Sequence, residues 1–187
     1  MANPHSENFE NAKLCIENGK PALVEKAFTT NTKQASILIS LAEEKGVLLV
    51  EAMWTRFLPA VRIIKEWIAV GRIGEVECVE AEFSQPISHV DRLQNPNLAG
   101  GALLDLGIYS LTFADLFLDG NIIDTKSHCI QFKTGVDASD WVNLTYTSGL
   151  EKTGEKIEEG LEKTGEKIDS GVKATKKKIA DAVSEEE

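Results

Sequence analysis

The chain has 187 residues, a formal net charge of -10 at pH 7, 42% hydrophobic residues and 27% charged residues. This length and composition predict one ordinary globular domain or two small ones, and they argue against a disordered chain. The negative charge, with no basic stripe interleaved with aromatic residues, argues against a nucleic-acid partner.

The three cysteines lie far apart without a C-x-x-C pair, and the three histidines show no metal-ligand spacing. We therefore expect reduced, mostly buried thiols and no metal site. The most apolar run, residues 46–54, contains Glu51 and is shorter than the about 20 residues that a membrane span needs. The first residues also lack the regions of a signal peptide. These features predict a cytoplasmic protein without a transmembrane segment.

The first part of the chain alternates helical and strand patterns. The predicted elements are a helix capped by Ser6 or Asn8 and stopped by Gly19, a strand at 21–25, a helix from Thr30 or Asn31 to Gly46, a strand at 47–51 and a helix at 58–70. The second strand is a continuous apolar run, typical of a sheet covered on both faces. The α/β alternation predicts a partial doubly wound parallel sheet over residues 1–73.

The pattern changes after Gly74. Residues 75–83 alternate strictly between apolar and polar, which is typical of a strand in an antiparallel sheet with one buried face. A helix at 107–118 and strands at 123–132 and 141–147 follow. We therefore predict part of an α+β domain with a largely antiparallel sheet over residues 74–149.

Residues 150–187 differ from the rest of the chain. Two nearly identical eleven-residue units, 150–160 and 161–171, are followed by a degenerate third. Eleven residues over three turns keep an apolar stripe on one side of a helix, although each glycine costs about 1 kcal/mol relative to alanine. The units resemble the surface helices of late-embryogenesis-abundant and apolipoprotein-like proteins. Two interpretations of residues 150–187 remain: an amphipathic helical tail and a solvated low-complexity tail.

Two short segments contain the best candidates for catalysis. Lys26 follows a predicted buried strand, where partial loss of water suits a lysine to proton transfer. Asp105 and Tyr109 are spaced to share one face of a helix. Position alone also fits a surface lysine in a loop and an aspartate that caps the helix.

Several motifs, in the same order, resemble the glucose–fructose oxidoreductase/inositol dehydrogenase (Gfo/Idh/MocA) family. Its Glu-Lys-Pro motif matches Lys26, with Ala27 in place of proline, and its D-x-G-x-[HY] motif matches Asp105 and Tyr109. The run Glu-Ala-Met-Trp-Thr-Arg-Phe at 51–57 is especially close to the dihydrodiol/D-xylose dehydrogenase branch. Gly-Lys-Pro at 19–21 and Ile-Gly-Glu-Val at 73–76 also fit, so the resemblance covers about residues 2–149.

The resemblance implies an NAD(P)-dependent oxidoreductase that transfers hydride to or from a polyol, sugar or dihydrodiol. Lys26 and Tyr109 would handle the hydroxyl proton while Asp105 holds the substrate. NADP or NAD would be the cofactor, and a homodimer through the sheet is expected. The cofactor-binding residues that the resemblance implies are Pro4, His5, Glu25, Lys26, Trp54 and Arg56.

The sequence contains no G-x-G-x-x-G phosphate-binding turn, with which members of this family begin. It also leaves the family pattern after Gly149. We therefore expect a chain truncated at both ends relative to the family, with little or no dehydrogenase activity alone. The alternative is a non-catalytic fragment or interaction protein that uses exposed sheet edges and the tail.

Overall fold

The computed structural model describes residues 3–147. The helices are α1 (His5–Glu17), α2 (Thr32–Lys45), α3 (Pro59–Ala69), α4 (Asp91–Gln94) and α5 (Ile108–Phe117), and the strands are β1 (Ala22–Val24), β2 (Leu49–Glu51), β3 (Ile122–Gln131) and β4 (Asp137–Tyr146). The mixed α/β class is as predicted. The repeats at 150–187 lie outside the described residues.

Helix α1 begins earlier than predicted. It follows Pro4 directly, and no side chain caps its first turn. The proposed cap Ser6 lies inside the helix, as does Asn8, whose buried side chain donates to two carbonyls of the loop after β1. Gly19 follows the helix with φ of 67°, in the left-handed conformation that suits glycine, as predicted.

Helix α2 has the predicted ends. The Asn31 side chain accepts a hydrogen bond from the backbone N–H of Gln34 at 3.0 Å, and Gly46 ends the helix with φ of 62°. Leu38 and Ala42 are buried, whereas Ile39 is exposed. The buried face of α2 is therefore narrow, and it packs with residues of α1 and β1.

Strands β1 and β2 form the predicted parallel pair, with Leu23 opposite Val50. Helices α1 and α2 pack against this pair. The residues of the resulting core are Ala12, Ile16, Ala22, Val24, Leu38 and Ala42. Leu23 is exposed, so in the described chain β1 buries one face rather than the two faces expected of the sheet.

The strand predicted at 75–83 is absent: this segment is irregular and mostly exposed. Alternation provides one apolar face, but a strand also needs a neighbour for its backbone groups. Among the described residues, β1 pairs with β2 and β3 pairs with β4, and neither sheet includes this segment. Cys78 in this segment and Cys129 on β3 are exposed, contrary to the expected burial of the thiols.

A π-helical turn (Leu103–Gly107) leads directly into α5. Strands β3 and β4 then form a hairpin, closed by a hydrogen bond from Phe132 N to Val136 O. By contact density the described residues divide into two compact units, 3–118 with 127–142, and 119–126 with 143–147. The domain boundary near residue 73 stays a prediction.

One stretch of the described chain, the 22 residues of Pro96–Phe117, is long and apolar enough to cross a membrane by length and composition. Such a stretch is weak evidence, since the core helix of a soluble protein passes the same test. It is a different segment from the apolar run at 46–54. The absence of a transmembrane segment stays a prediction.

Candidate functional site

The loop after β1 brings Lys26 to the carboxyl end of the parallel strands. Asn8 on α1 holds this loop in place, because its Nδ2 donates hydrogen bonds to the carbonyls of Glu25 at 3.2 Å and Ala27 at 2.9 Å. The Lys26–Ala27 peptide bond is cis. Trp54 follows β2, so residues after both strands reach the same edge of the sheet, where parallel sheets commonly bind ligands.

Lys26 and Asp105 form a largely buried ion pair. The Lys26 Nζ lies 3.0 Å from Asp105 Oδ1, and the two side chains are 14% and 7% exposed. Lys26 Nζ also donates to the backbone carbonyl of Asp105. Lys26 is therefore not a surface lysine. Asp105 is not a helix cap either: it lies inside the π-helical turn and its carboxylate accepts from cationic side chains.

The charge state of Asp105 follows from these contacts. Burial raises the pKa of its carboxyl, but the hydrogen bond and charge of Lys26, together with the charge and hydrogen bonds of Arg92, outweigh burial and hold the pKa below its ordinary value. Asp105 is thus a carboxylate at neutral pH. Such a carboxylate can only accept hydrogen bonds, for example from a substrate hydroxyl.

The ring of Tyr109 lies next to the Lys26 ammonium, in the same charged cluster as Asp105 and Arg92. Lys26 Nζ is 5.2 Å from the centre of the Tyr109 ring, within the range of a cation–π contact. The Trp54 indole N–H donates to the Tyr109 hydroxyl at 3.0 Å, and Phe83 meets the Tyr109 ring edge-on at 5.3 Å between centroids. The Lys26 ammonium, the Asp105 carboxylate and the Tyr109 phenol therefore lie together. The rings of Trp54, Tyr109 and Phe83 form an aromatic wall beside them.

The other residues implied by the resemblance divide into two groups. His5 is buried in the cluster, with Nδ1 bonded to Ala99 O at 3.0 Å. Glu25 accepts from the backbone N–H of Lys26 at 3.2 Å, and Pro4 precedes α1. Arg56 instead extends to α5, where Nη2 lies 2.9 Å from an oxygen of Asp115. The structure thus brings five of the six residues to one edge, whereas Arg56 pairs with Asp115 on α5.

Two residues of the cluster were missed from the sequence. Arg92 donates from Nη1 and Nη2 to Asp105 Oδ1, each at 3.2 Å. It lies on the four-residue helix α4, in a polar segment without periodicity, so no local signal indicated it. Asn8 was interpreted as a cap because of its residue type, and its role under the Lys26 loop depends on tertiary packing alone.

The carboxylate of Asp137 supports the segment that carries Asp105. Asp137 accepts a hydrogen bond from the backbone N–H of Leu103, the first residue of the π-helical turn. Its neighbour Asp140 has a pKa raised to about 7, by burial first and then by the hydrogen bond and the charge of Asp137. Gly101 lies against Asp137 with φ of 116°, where a Cβ would overlap the carboxylate.

Among residues 3–147, no group of three or more His, Cys, Asp or Glu side chains is arranged to hold a metal ion. The charged cluster at the sheet edge consists of Lys26, Arg92 and the carboxylate of Asp105, so two cations face one anion.

Comparisons with known proteins identify the family and relatives of this chain. A family model described as the GFO/IDH/MocA C-terminal domain matches residues 61–154. D-xylose 1-dehydrogenase (NADP(+)) of Hypocrea jecorina is 45% identical over 123 residues, covering 60% of this chain and 32% of that protein. Trans-1,2-dihydrobenzene-1,2-diol dehydrogenase of Mus musculus is 34% identical over 151 residues, covering 80% and 45%.

A solved structure supports the fold. A 3-ketoreductase from Actinomadura kijaniata, in complex with NADP and TDP-benzene, superposes with a TM-score of 0.70 at 29% identity. The match covers 78% of this chain and 46% of that chain. The chain therefore spans less than half the length of each of these relatives.

Proposed function

Because the chain belongs to the GFO/IDH/MocA family, we propose that its Lys26–Asp105–Tyr109 site performs NAD(P)-dependent hydride transfer on a secondary alcohol or the corresponding carbonyl. The observation that carries this proposal is the meeting of Lys26 and Asp105, whose atoms lie 3.0 Å apart although the residues are 79 positions apart in sequence. An ammonium beside an ionised carboxylate at the carboxyl ends of parallel strands suits proton transfer to a bound hydroxyl.

The donor set fits this chemistry. Lys26 carries three N–H donors, and the phenol of Tyr109 both donates and accepts, so either group can hold or move the proton of a carbinol oxygen. Asp105 remains an acceptor and orients a neighbouring substrate hydroxyl. The nicotinamide, when bound, supplies the carbon that accepts or gives the hydride.

We propose that Pro4, His5, Glu25, Lys26 and Trp54 form the nucleotide-facing part of the site. All five adjoin the edge where β1 and β2 end, which supports this assignment. Arg56, whose guanidinium is held by Asp115, is proposed to act at the margin of the site. Either NADP or NAD fits these residues, since none of them distinguishes the two.

The proposed substrate is a sugar, polyol or cyclic dihydrodiol. The relatives described above are named for D-xylose and for trans-1,2-dihydrobenzene-1,2-diol, and both names denote hydroxyl-bearing small molecules. The aromatic wall of Trp54, Tyr109 and Phe83 supports a substrate with an apolar ring face, because such faces pack against aromatic side chains.

The direct test is NADPH formation by the purified chain with D-xylose, a polyol and a cyclic dihydrodiol. We expect slow formation with at least one of the three, and its loss in Lys26→Met. Formation no faster than in buffer, or formation that survives Lys26→Met, would contradict the proposal. The same assay tests the expectation of little activity from the chain alone.

An interaction role is the second candidate. Leu14 on α1 and Leu48 before β2 are 60% and 67% exposed, which leaves apolar surface beside the parallel pair. Apolar surface of this kind supports a protein partner. Nucleotide binding separates the two candidates, since only the oxidoreductase requires it.

We also propose that the chain forms a homodimer through its β3–β4 sheet. Strand β3 is exposed along nearly its whole length and includes the apolar residues Ile122 and Ile123. An exposed strand with apolar side chains offers a surface for a second copy. Sedimentation of the wild type against Ile122→Lys tests this, with a loss of dimer expected in the variant.

A further inference from the structure

Arg92 is part of the site geometry but has no part in the proton transfer proposed above. Its two terminal nitrogens lie 3.2 Å from Asp105 Oδ1, the same oxygen that accepts from Lys26 at 3.0 Å. One carboxylate oxygen thus faces two cations. A single ion pair would already neutralise Asp105, so the second cation needs an explanation.

The explanation lies in what happens when Lys26 changes its charge. A lysine that takes part in proton transfer alternates between ammonium and neutral amine. In the neutral form it no longer compensates Asp105, whose side chain is only 7% exposed. A buried carboxylate left without a partner is unfavourable, and it loses its charge by taking up a proton.

Arginine does not have this weakness, because its guanidinium stays protonated throughout the physiological range. The Arg92 side chain is 46% exposed, so water solvates the part of the guanidinium that does not face Asp105. Arg92 therefore carries a permanent charge at little desolvation cost, in contact with the carboxylate that Lys26 can leave uncompensated.

The third basic side chain near Asp105 does not fill this role. His5 Nε2 lies 3.8 Å from Asp105 Oδ1, beyond hydrogen-bond distance. Its Nδ1 faces the carbonyl of Ala99, which can only accept, so Nδ1 carries the proton.

We propose that Arg92 is a positioning residue that keeps Asp105 ionised and oriented while Lys26 gives up and regains its proton. The proposal rests on the proposed function for one point only, namely that Lys26 changes charge. Arg92 acts through Asp105 and need not touch the substrate.

The test is a pH titration of the Asp105 carboxyl, monitored by carbon-13 NMR in the absence of nucleotide and substrate. Lys26→Met mimics the uncharged lysine, and Lys26→Met/Arg92→Met removes both cations. We expect the pKa of Asp105 to be about 1–3 units higher in the double variant than in Lys26→Met. Equal pKa values in the two variants would overturn the proposal.

Two further variants define the role of Arg92. Arg92→Lys in the Lys26→Met background keeps the charge but loses the paired donors, so we expect it to recover part of the shift. Arg62→Met, which removes an exposed arginine of α3, is the matched control and should leave Asp105 unchanged. A shift as large in Arg62→Met as in Arg92→Met would mean a general charge effect and would overturn the proposal.

If the double variant does not fold, the single change Arg92→Gln in the wild-type chain decides the question. It should raise the pKa of Asp105, and an unchanged titration would contradict the proposal. None of these titrations requires turnover. A chain that fails to reduce NADP but shows the Arg92-dependent shift would refute the proposed function, while the control of the Asp105 charge by Arg92 would still be demonstrated.

Discussion

Lys26 Nζ donates to Asp105 Oδ1 at 3.0 Å and also to the backbone carbonyl of the same residue. One side chain thereby joins the end of β1 to the turn that begins α5. Because the ammonium is bonded to both the side chain and the main chain of Asp105, it fixes the position of the carboxylate as well as its charge. Positioning of this kind matters for chemistry that depends on distances of a fraction of an ångström.

Replacing Lys26 by methionine keeps most of the side-chain volume and removes the charge. We expect Lys26→Met to abolish NADP reduction and to lower the free energy of unfolding, by less than the about 3 kcal/mol of an unpaired buried charge because Arg92 remains. Initial rates and denaturant melts measure the two effects. Lys33→Met, at an exposed position of α2, is the control and should change neither.

The hydrogen bond between Trp54 and Tyr109 allows the phenol to be tested separately from its partner. Both Tyr109→Phe and Trp54→Phe remove the 3.0 Å bond, but only the first removes the hydroxyl. We expect a lower kcat in Tyr109→Phe than in Trp54→Phe, since the phenol takes part in proton transfer. Each should cost about 1 kcal/mol of stability or less. An equal fall in kcat would assign the hydroxyl a structural role.

Local motifs predicted part of the site from the sequence. Lys26 was recognisable because it follows an apolar strand, and Asp105 with Tyr109 because a spacing of four residues aligns them on a helix. Their contact with Lys26 joins segments far apart in the chain, and only the family resemblance connected them. No local pattern indicated Arg92, since a single arginine in an irregular polar segment has no periodicity to detect.

The fold, like the site, was predictable where it depends on neighbouring residues and not where it depends on distant ones. Asn31 and Gly46 were identified as the ends of α2 because capping is a local interaction between neighbouring residues. The segment 75–83 was wrongly assigned to a strand because its alternation is real but pairing depends on a neighbouring strand, which a sequence pattern does not supply.

Nucleotide binding should appear as a shift in thermal melting. We expect millimolar NADP or NAD to raise Tm, since a ligand that binds only the folded chain at about 100 times its Kd adds about 2.7 kcal/mol. ATP at the same concentration controls for the effect of a polyanion. An equal shift with ATP, or none with either dinucleotide, would favour the interaction role over the oxidoreductase.

Gly101 supports the Asp105 segment through its close approach to Asp137. Its φ is 116°, and an added Cβ would overlap the Asp137 carboxylate that accepts from Leu103 N. We expect Gly101→Ala to cost about 1–3 kcal/mol from backbone strain, and more from the displaced carboxylate. Gly74 also has a positive φ, but no atom lies within 4 Å of a Cβ added there. Gly74→Ala is therefore a control that measures backbone strain without a steric overlap. Equal losses in urea melts would show that the carboxylate contact adds nothing.

The Asp137–Asp140 pair should make stability depend on pH in the direction opposite to that of a carboxylate paired with cations, such as Asp105. The pKa of Asp140 is raised from 3.8 to about 7, by burial and then by the hydrogen bond and charge of Asp137. Between these values the folded chain binds a proton at Asp140 that the unfolded chain does not. The contribution of this group is therefore fully present below about pH 4 and is lost as the pH rises through about 7.

Urea melts of the wild type and Asp140→Asn at several pH values between 4 and 8 isolate this contribution. Asparagine keeps the shape of the side chain without a titratable proton, so we expect the wild type to lose stability relative to Asp140→Asn as the pH rises. Asp119→Asn, at an exposed position, should run parallel to the wild type. If Asp140→Asn also runs parallel, Asp140 does not hold a proton in the folded chain, and the support that Asp137 gives to Leu103 is independent of pH.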